Sequence, residues 1–201
     1  VWLVKVLIEE YGEKRALAIF ESLFLRNKAS VRVVDLSRKE ELKQLLQAED
    51  SLLAPDALVK NHGHFAGHAL FEEGVITIQD ESSQLVAPTL DLQGDEKVLD
   101  ACSAPGGKTM HIASYLTTGQ VTALDLYDHK LTLIEENAQR LGLADRVITK
   151  KLDARRVFET FGVDAFDKIL VDAPCSGIGL IRRKPDIKYN KKNADFISLQ
   201  K

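Results

Sequence analysis

An α/β fold built on a doubly wound parallel sheet is what this chain of 201 residues predicts, on three observations. From Gly94 onward, apolar strand segments alternate with helical ones at the spacing of βαβ units. The first of these strands, carrying Val98 and Leu99, runs through Asp100 into a small-residue turn and then into the paired glycines Gly106 and Gly107. A later apolar strand, Ile169 to Val171, reads as buried and also ends in an acid, Asp172, followed by Ala173, Pro174, Cys175, Ser176 and Gly177. Ligands in open α/β sheets collect outside the carboxyl ends of the strands. Asp172 and Cys175 are therefore expected to face the same crevice as the turn Ala104–Lys108.

The elements follow in chain order. Two amphipathic helices open the chain, over 2–11 (Leu3, Leu7 and Tyr11 on one side) and 13–25 (Leu17, Phe20 and Phe24), with Gly12 between them. Residues 30–34 alternate with β-branched side chains and read as a strand. Ser37 then caps a helix to Gln47, and Glu40 three residues on completes a capping box. Short strands are expected at 58–59 and 75–78, which makes residues 1–78 a small α+β unit. Residues 79–93 connect, with a helix over 80–90, and 94–201 form the α/β domain. Its strands are 97–100, 120–125, 147–153 and 168–172; its helices are 108–116, 129–141 and one beginning near Asn193.

The turn after Asp100 has the shape of a nucleotide-type cofactor site. Gly106 and Gly107 let backbone approach a ligand with no Cβ in the way, and the helix that follows presents free N–H groups. Gly107-Lys108-Thr109 fits the end of a phosphate-binding P-loop, but Cys102 stands where that motif needs its first glycine. Pro105 likewise breaks the dinucleotide pattern G-x-G-x-x-G. What is left is a nucleoside cofactor other than a dinucleotide.

Together, the stretches Lys97–Thr109 and Phe166–Gly179 resemble the RNA cytosine-5 methyltransferases that use S-adenosylmethionine. The likeness is greatest to the bacterial small-subunit ribosomal RNA methyltransferase B family (RsmB, also called Sun or Fmu). Ile78–Gln84 and Gly179–Lys188 match as well, and the likeness covers nearly the whole chain. It implies an S-adenosylmethionine-dependent, Rossmann-like methyltransferase fold, truncated at its C-terminus and preceded by an RNA-recognition-motif-like subdomain that helps bind RNA. The family's sheet has more strands than the four read here, its nucleophile lies in a Thr-Cys motif on a later strand, and its subfamily adds a helical N-terminal domain. The chain therefore reads as a fragment of such an enzyme, inactive by itself.

The resemblance assigns the residues. Cys102, Ser103, Ala104, Pro105, Gly106, Gly107 and Lys108 form the cofactor turn, with Cys102 packing or lining it. Asp125 ends the second strand about twenty residues beyond the glycines, where an acid accepts hydrogen bonds from both ribose hydroxyls; Asp128 is left to cap the next helix. Asp153 takes the adenine side and Asp172 the methionine end. Lys108 either neutralises acidic neighbours or the cofactor carboxylate, or is a solvated first-turn lysine. Cys175 is the release cysteine, while the attacking one lies beyond Lys201; DNA cytosine-5 methyltransferases instead place the nucleophile in a Pro-Cys motif at this point.

Composition agrees with a soluble protein. Hydrophobic residues make up 45% and charged residues 28%, and no apolar run reaches the ~20 residues a bilayer span needs. No signal peptide or disulfide framework is expected, since residues 1–8 carry Lys5 and lead into Glu9 and Glu10 and there are two cysteines, and a cytoplasmic monomer is expected. The net charge of −3 does not advertise a nucleic-acid partner. Basic residues nevertheless gather after residue 181, and Arg182, Arg183 and Lys184 are expected to contact ribosomal RNA phosphates. His62, His64 and His68 lack a fourth ligand at a typical spacing, and no metal is expected. Two other functions are weighed. One is a non-catalytic RNA-binding module. The other is methylation of an amide or amine nitrogen, against which Asp172-Ala-Pro-Cys175 lacks the second proline and the aromatic residue that such enzymes carry.

Overall fold

The computed structural model describes residues 2–25, 28–65 and 67–190. They fall into two compact units, one comprising residues 1–27 with 174–201 and the other residues 28–173. In the first unit, helices α1 (Trp2–Tyr11) and α2 (Glu13–Ser22) stand where the periodicity put them. Only Leu3 and Ala16 in them are buried, whereas Leu17 and Phe24 of the expected stripe are 53% and 90% exposed. The same unit holds a 3-10 turn, Ile178–Leu180, which sequence reading missed. The helix expected from Asn193 lies outside the described residues.

The second unit contains two sheets, so the connection expected at 79–93 falls inside it. The first sheet is antiparallel, in the order β2 (Glu49–Asp50), β3 (Ala57–Lys60), β1 (Ala29–Val33), β4 (Ile76–Ile78). Val31 sits opposite Leu58 on one side and Ile78 on the other. Val31, Val33, Leu58 and Ile76 bury against Leu42 and Leu46 of α3 (Lys39–Leu46) and against Phe65 and Leu70. The capping box expected at Ser37 is not formed. Asp35 Oδ1 accepts the Ser37 N–H at 3.0 Å and starts a 3-10 turn, α3 begins two residues later without a side-chain cap, and Glu40 pairs with Lys43. An aspartate wins here because its carboxylate accepts from the N–H two residues on in an Asx turn.

Helix α4 (Ala69–Glu72) was not foreseen; it is capped by His68, whose Nδ1 accepts the Leu70 N–H. One of the three clustered histidines thus has a structural role. The helix expected over 80–90 is broken into α5 (Glu81–Gln84) and a 3-10 turn, Ala87–Leu90. Pro88 lacks the N–H that a continuous helix would need there.

The second sheet is wholly parallel, in the order β7 (Val147–Lys151), β6 (Gln120–Asp125), β5 (Lys97–Asp100), β8 (Lys168–Leu170). Helices α6 (Gly107–Tyr115) and α7 (Asp128–Arg140) are its crossovers, and a short α8 (Val157–Phe161) follows β7. Val98, Val121 and Ala123 meet Met110, Ile112, Ile134 and Ala138 in one core, each nearly or fully buried. β8 corrects the expectation of a buried strand. Among the described residues it pairs only with β5, so it lies at the sheet edge, with Ile169 54% and Val171 65% exposed.

A buried polar cluster ties the two sheets together. Asp56, just before β3, accepts from His111 Nε2 at 3.3 Å and from the Tyr115 hydroxyl at 3.2 Å, both on α6. Burial lowers the His111 pKa and outweighs the opposing hydrogen bond to Asp56. Arg32 on β1, 1% exposed, donates from Nε to Gln79 Oε1 at 3.0 Å.

Candidate cofactor site

β5 delivers its acid into the interior. Asp100 is 1% exposed, and Thr109 on α6 donates its hydroxyl to Oδ2 at 2.7 Å. Oδ1 has no hydrogen-bond partner among the described residues, and burial is the main cause that raises the Asp100 pKa. An orphaned buried acceptor is costly unless a ligand or water completes it.

The turn that follows is held by its own backbone. Ser103 N–H donates to Leu124 O at 2.9 Å, the Ser103 hydroxyl to Asp100 O at 2.7 Å, and Gly106 N–H to Ser103 O at 2.8 Å. Gly106 has a φ of 100°, which side chains rarely adopt, and a Cβ there would press on Ile134 of α7 at 3.4 Å. Beside Gly107, by contrast, there is open space within 4 Å of where a Cβ would stand. The turn is therefore packed on one side and open on the other.

On the open side lies a cavity of about 220 Å³. Cys102, Ser103, Ala104, Pro105, Gly107 and Lys108 line it, together with Asp100 and Asp172. Lys108 Nζ reaches Asp172 Oδ2 at 2.6 Å, so this lysine pairs with an acid and is not simply solvated. Ile78 at the end of β4, Gln79 and Asp80 after it, and Ser83 in α5 also line it. Sequence reading had matched that stretch as a motif without giving any residue in it a place in the site. Its signal was polar: Gln79 and Gln84 are buried, and Gln79 O accepts both the Ser30 hydroxyl at 2.8 Å and Gln84 Nε2 at 3.0 Å.

Asp125 and Asp153 do not line this cavity. They stand at or just beyond the carboxyl ends of the next two strands, where Leu152 N–H donates to Asp125 O at 3.2 Å. Asp125 Oδ1 accepts the Tyr127 N–H at 3.2 Å and lies 3.6 Å from Lys130. Asp153 caps a 3-10 turn and binds the Arg155 side chain, whose hydrogen bonds hold its pKa down at about 2. The expected cap at Asp128 is absent: Asp128 is the first residue of α7 and pairs with Lys151.

The acids still converge electrically. Burial raises the Cys102 thiol pKa, and the charges of Asp100, Asp125 and Asp172 raise it further. Cys102, which lines the cavity, is accordingly a poor nucleophile. A carboxyl edge carrying these acids offers hydrogen-bond acceptors to a ligand that brings hydroxyls.

Cys175 is exposed and belongs to the other unit. Arg182, Arg183 and Lys184 are exposed in the same unit, just after the turn at 178–180.

A parallel sheet flanked by helices, with a glycine turn after its first strand and acids at successive strand ends, defines a Rossmann-like methyltransferase fold of the S-adenosylmethionine-dependent class. The crystal structure of PH0851 superposes on 98% of this chain and 46% of its own at a TM-score of 0.88 and 27% identity. A methyltransferase homolog protein from Pyrococcus horikoshii does so over 89% and 61%, at a TM-score of 0.72 and 31% identity. The 16S rRNA methyltransferase RsmB/F family matches residues 87–201, more than half of the chain, and the chain belongs to that family. The probable ribosomal RNA small subunit methyltransferase B of Bacillus subtilis is 48% identical over 98% of the chain and 46% of its own length. The ribosomal RNA small subunit methyltransferase B of Vibrio vulnificus is 37% identical over 98% and 47%. The chain thus spans about half the length of the curated relatives it matches.

Proposed function

We propose that this protein methylates carbon 5 of a cytosine in small-subunit ribosomal RNA, with S-adenosylmethionine as donor. The observation that carries the reading is the set of acids at the carboxyl edge around a glycine turn, with Asp100 and Asp172 lining the cavity and Asp100 Oδ1 lacking a hydrogen-bond partner among the described residues. Such a lining offers acceptors to the hydroxyl and ammonium groups of a nucleoside cofactor. Residues 102–108 and Asp172 would hold the methionine part of the cofactor, Asp125 the ribose hydroxyls and Asp153 the adenine side. When bound, the cofactor supplies an electrophilic methyl group.

The protein's own residues deal with a poorly reactive carbon. A cysteine thiolate, outside residues 1–201, adds to carbon 6 of the ring and forms an S–C6 bond, which raises electron density at carbon 5. After methyl transfer, the carbon 5 proton leaves to a base and the S–C6 bond breaks. Cys175 assists that release. RNA carrying tritium at carbon 5 of its cytosines tests the reaction with the full-length protein. Tritium is expected in water in step with methyl incorporation; incorporation without tritium release would place the methyl group on another atom and overturn the assignment.

Arg182, Arg183 and Lys184 are proposed to hold RNA phosphates without reading bases. Neutralising all three is expected to weaken binding alike for different RNA sequences and to flatten the dependence of log K on log salt by about 2–3 units. An unchanged slope would mark them as an ordinary solvated face.

A further inference from the structure

The glycine turn is braced by a side chain of α7. Asn137, on α7, donates from Nδ2 to the carbonyl of Pro105 at 3.1 Å. Pro105 O belongs to the turn itself, one residue before Gly106, where a Cβ would meet Ile134 of the same helix at 3.4 Å. An amide can point either way, and the wrong orientation would set its oxygen against that carbonyl. Arg140 removes the choice. Its Nη2 donates to Asn137 Oδ1 at 3.0 Å, which leaves Nδ2 aimed at the turn.

Arg140 is itself anchored in the antiparallel half of the unit. Its Nη1 donates to Phe71 O at 2.6 Å and to Ile76 O at 3.4 Å, and its guanidinium lies 4.0 Å from the centre of the Phe71 ring. Gly74 allows this approach: a Cβ there would stand 2.1 Å from the Arg140 carbonyl oxygen. The fork geometry of an arginine serves both anchors and the amide at once, which a lysine cannot do.

We infer that Asn137 is a positioning residue for the cofactor turn, oriented by Arg140, which ties the turn to the β4 segment of the antiparallel sheet. The inference rests on the reading of that turn as a cofactor site, and the test separates the two. Asn137→Asp keeps the size of the side chain and pairs more strongly with Arg140, yet it puts a carboxylate oxygen against Pro105 O. S-adenosylhomocysteine is titrated into the full-length wild type and into the variant, and the thermal unfolding midpoint of each is recorded. The expected result is an affinity loss of about tenfold or more, from the repulsive contact within the turn, with the midpoint held because the stronger pair with Arg140 offsets the lost hydrogen bond. A purely structural role would move the midpoint and leave the affinity alone. Should Asn137→Asp fail to fold, Arg140→Lys carries the test by the same comparison, with a loss of about threefold or more expected because the amide is freed to turn. Wild-type binding with unchanged affinity in the folded variant overturns the inference. No binding by the wild type overturns the reading of the site instead.

Discussion

Cys175→Ala in the full-length protein is expected to abolish turnover and to leave the enzyme covalently joined to its RNA. Attack on carbon 6 by the other cysteine survives this substitution, and so does methyl transfer. Only expulsion of the thiolate loses its helper, so the S–C6 adduct accumulates. A denaturing gel should then show a protein band shifted by the mass of the RNA, formed in proportion to enzyme and dependent on the cofactor. Cys175 is exposed, so removing its sulfur opens no core cavity and a folding defect does not obscure the result. Complete loss of activity with no adduct would instead make Cys175 the nucleophile, as in the Pro-Cys arrangement of the DNA enzymes.

Arg32→Ala is expected to be the most damaging single change to stability. Arg32 is 1% exposed on β1, and burial lowers its pKa to about 10 against the opposing pull of Asp56. One terminal nitrogen, Nη2, has no hydrogen-bond partner among the described residues, so the charge is held there at a cost. Truncation would leave Gln79 Oε1 without its donor and Asp56 without a neighbouring cation, a combination worth about 3–5 kcal/mol when a buried charge network is broken. Arg32→Met keeps the volume of the stem and removes the uncompensated charge. It should cost only about 1–3 kcal/mol, the penalty for the orphaned Gln79 acceptor. Urea denaturation of both variants checks the order, and equal losses would contradict it. Because Gln79 also lines the cavity, both variants should weaken cofactor binding as well.

Much of this site was legible in the chain. The run Val98-Leu99-Asp100 and the paired glycines are local signals, and the strand–turn–helix they predict forms within one residue of its expected bounds. The succession of acids at strand ends was legible for the same reason. What the sequence hid was tertiary. Gln79, Asp80 and Ser83 reach the cavity from the antiparallel half of the unit, and no local pattern ties them to a turn some twenty residues further on. Asn137 and Arg140 read only as polar positions on an amphipathic helix, although one face of that helix braces the turn. Ser37 was misjudged because Asp35, two residues earlier, competes for the same N–H.

The cofactor reading depends on a nucleoside occupying the carboxyl edge of the parallel sheet, and Asp125 is the residue on which that can be weighed. Its side chain is 10% exposed, and a ribose held there would give it two hydrogen bonds to an ionised acceptor. Calorimetric titration of S-adenosylhomocysteine into the wild type should show binding to a single site. In Asp125→Ala that affinity should fall by about 30- to 150-fold, the equivalent of about 2–3 kcal/mol. The same affinity in both proteins would contradict the account.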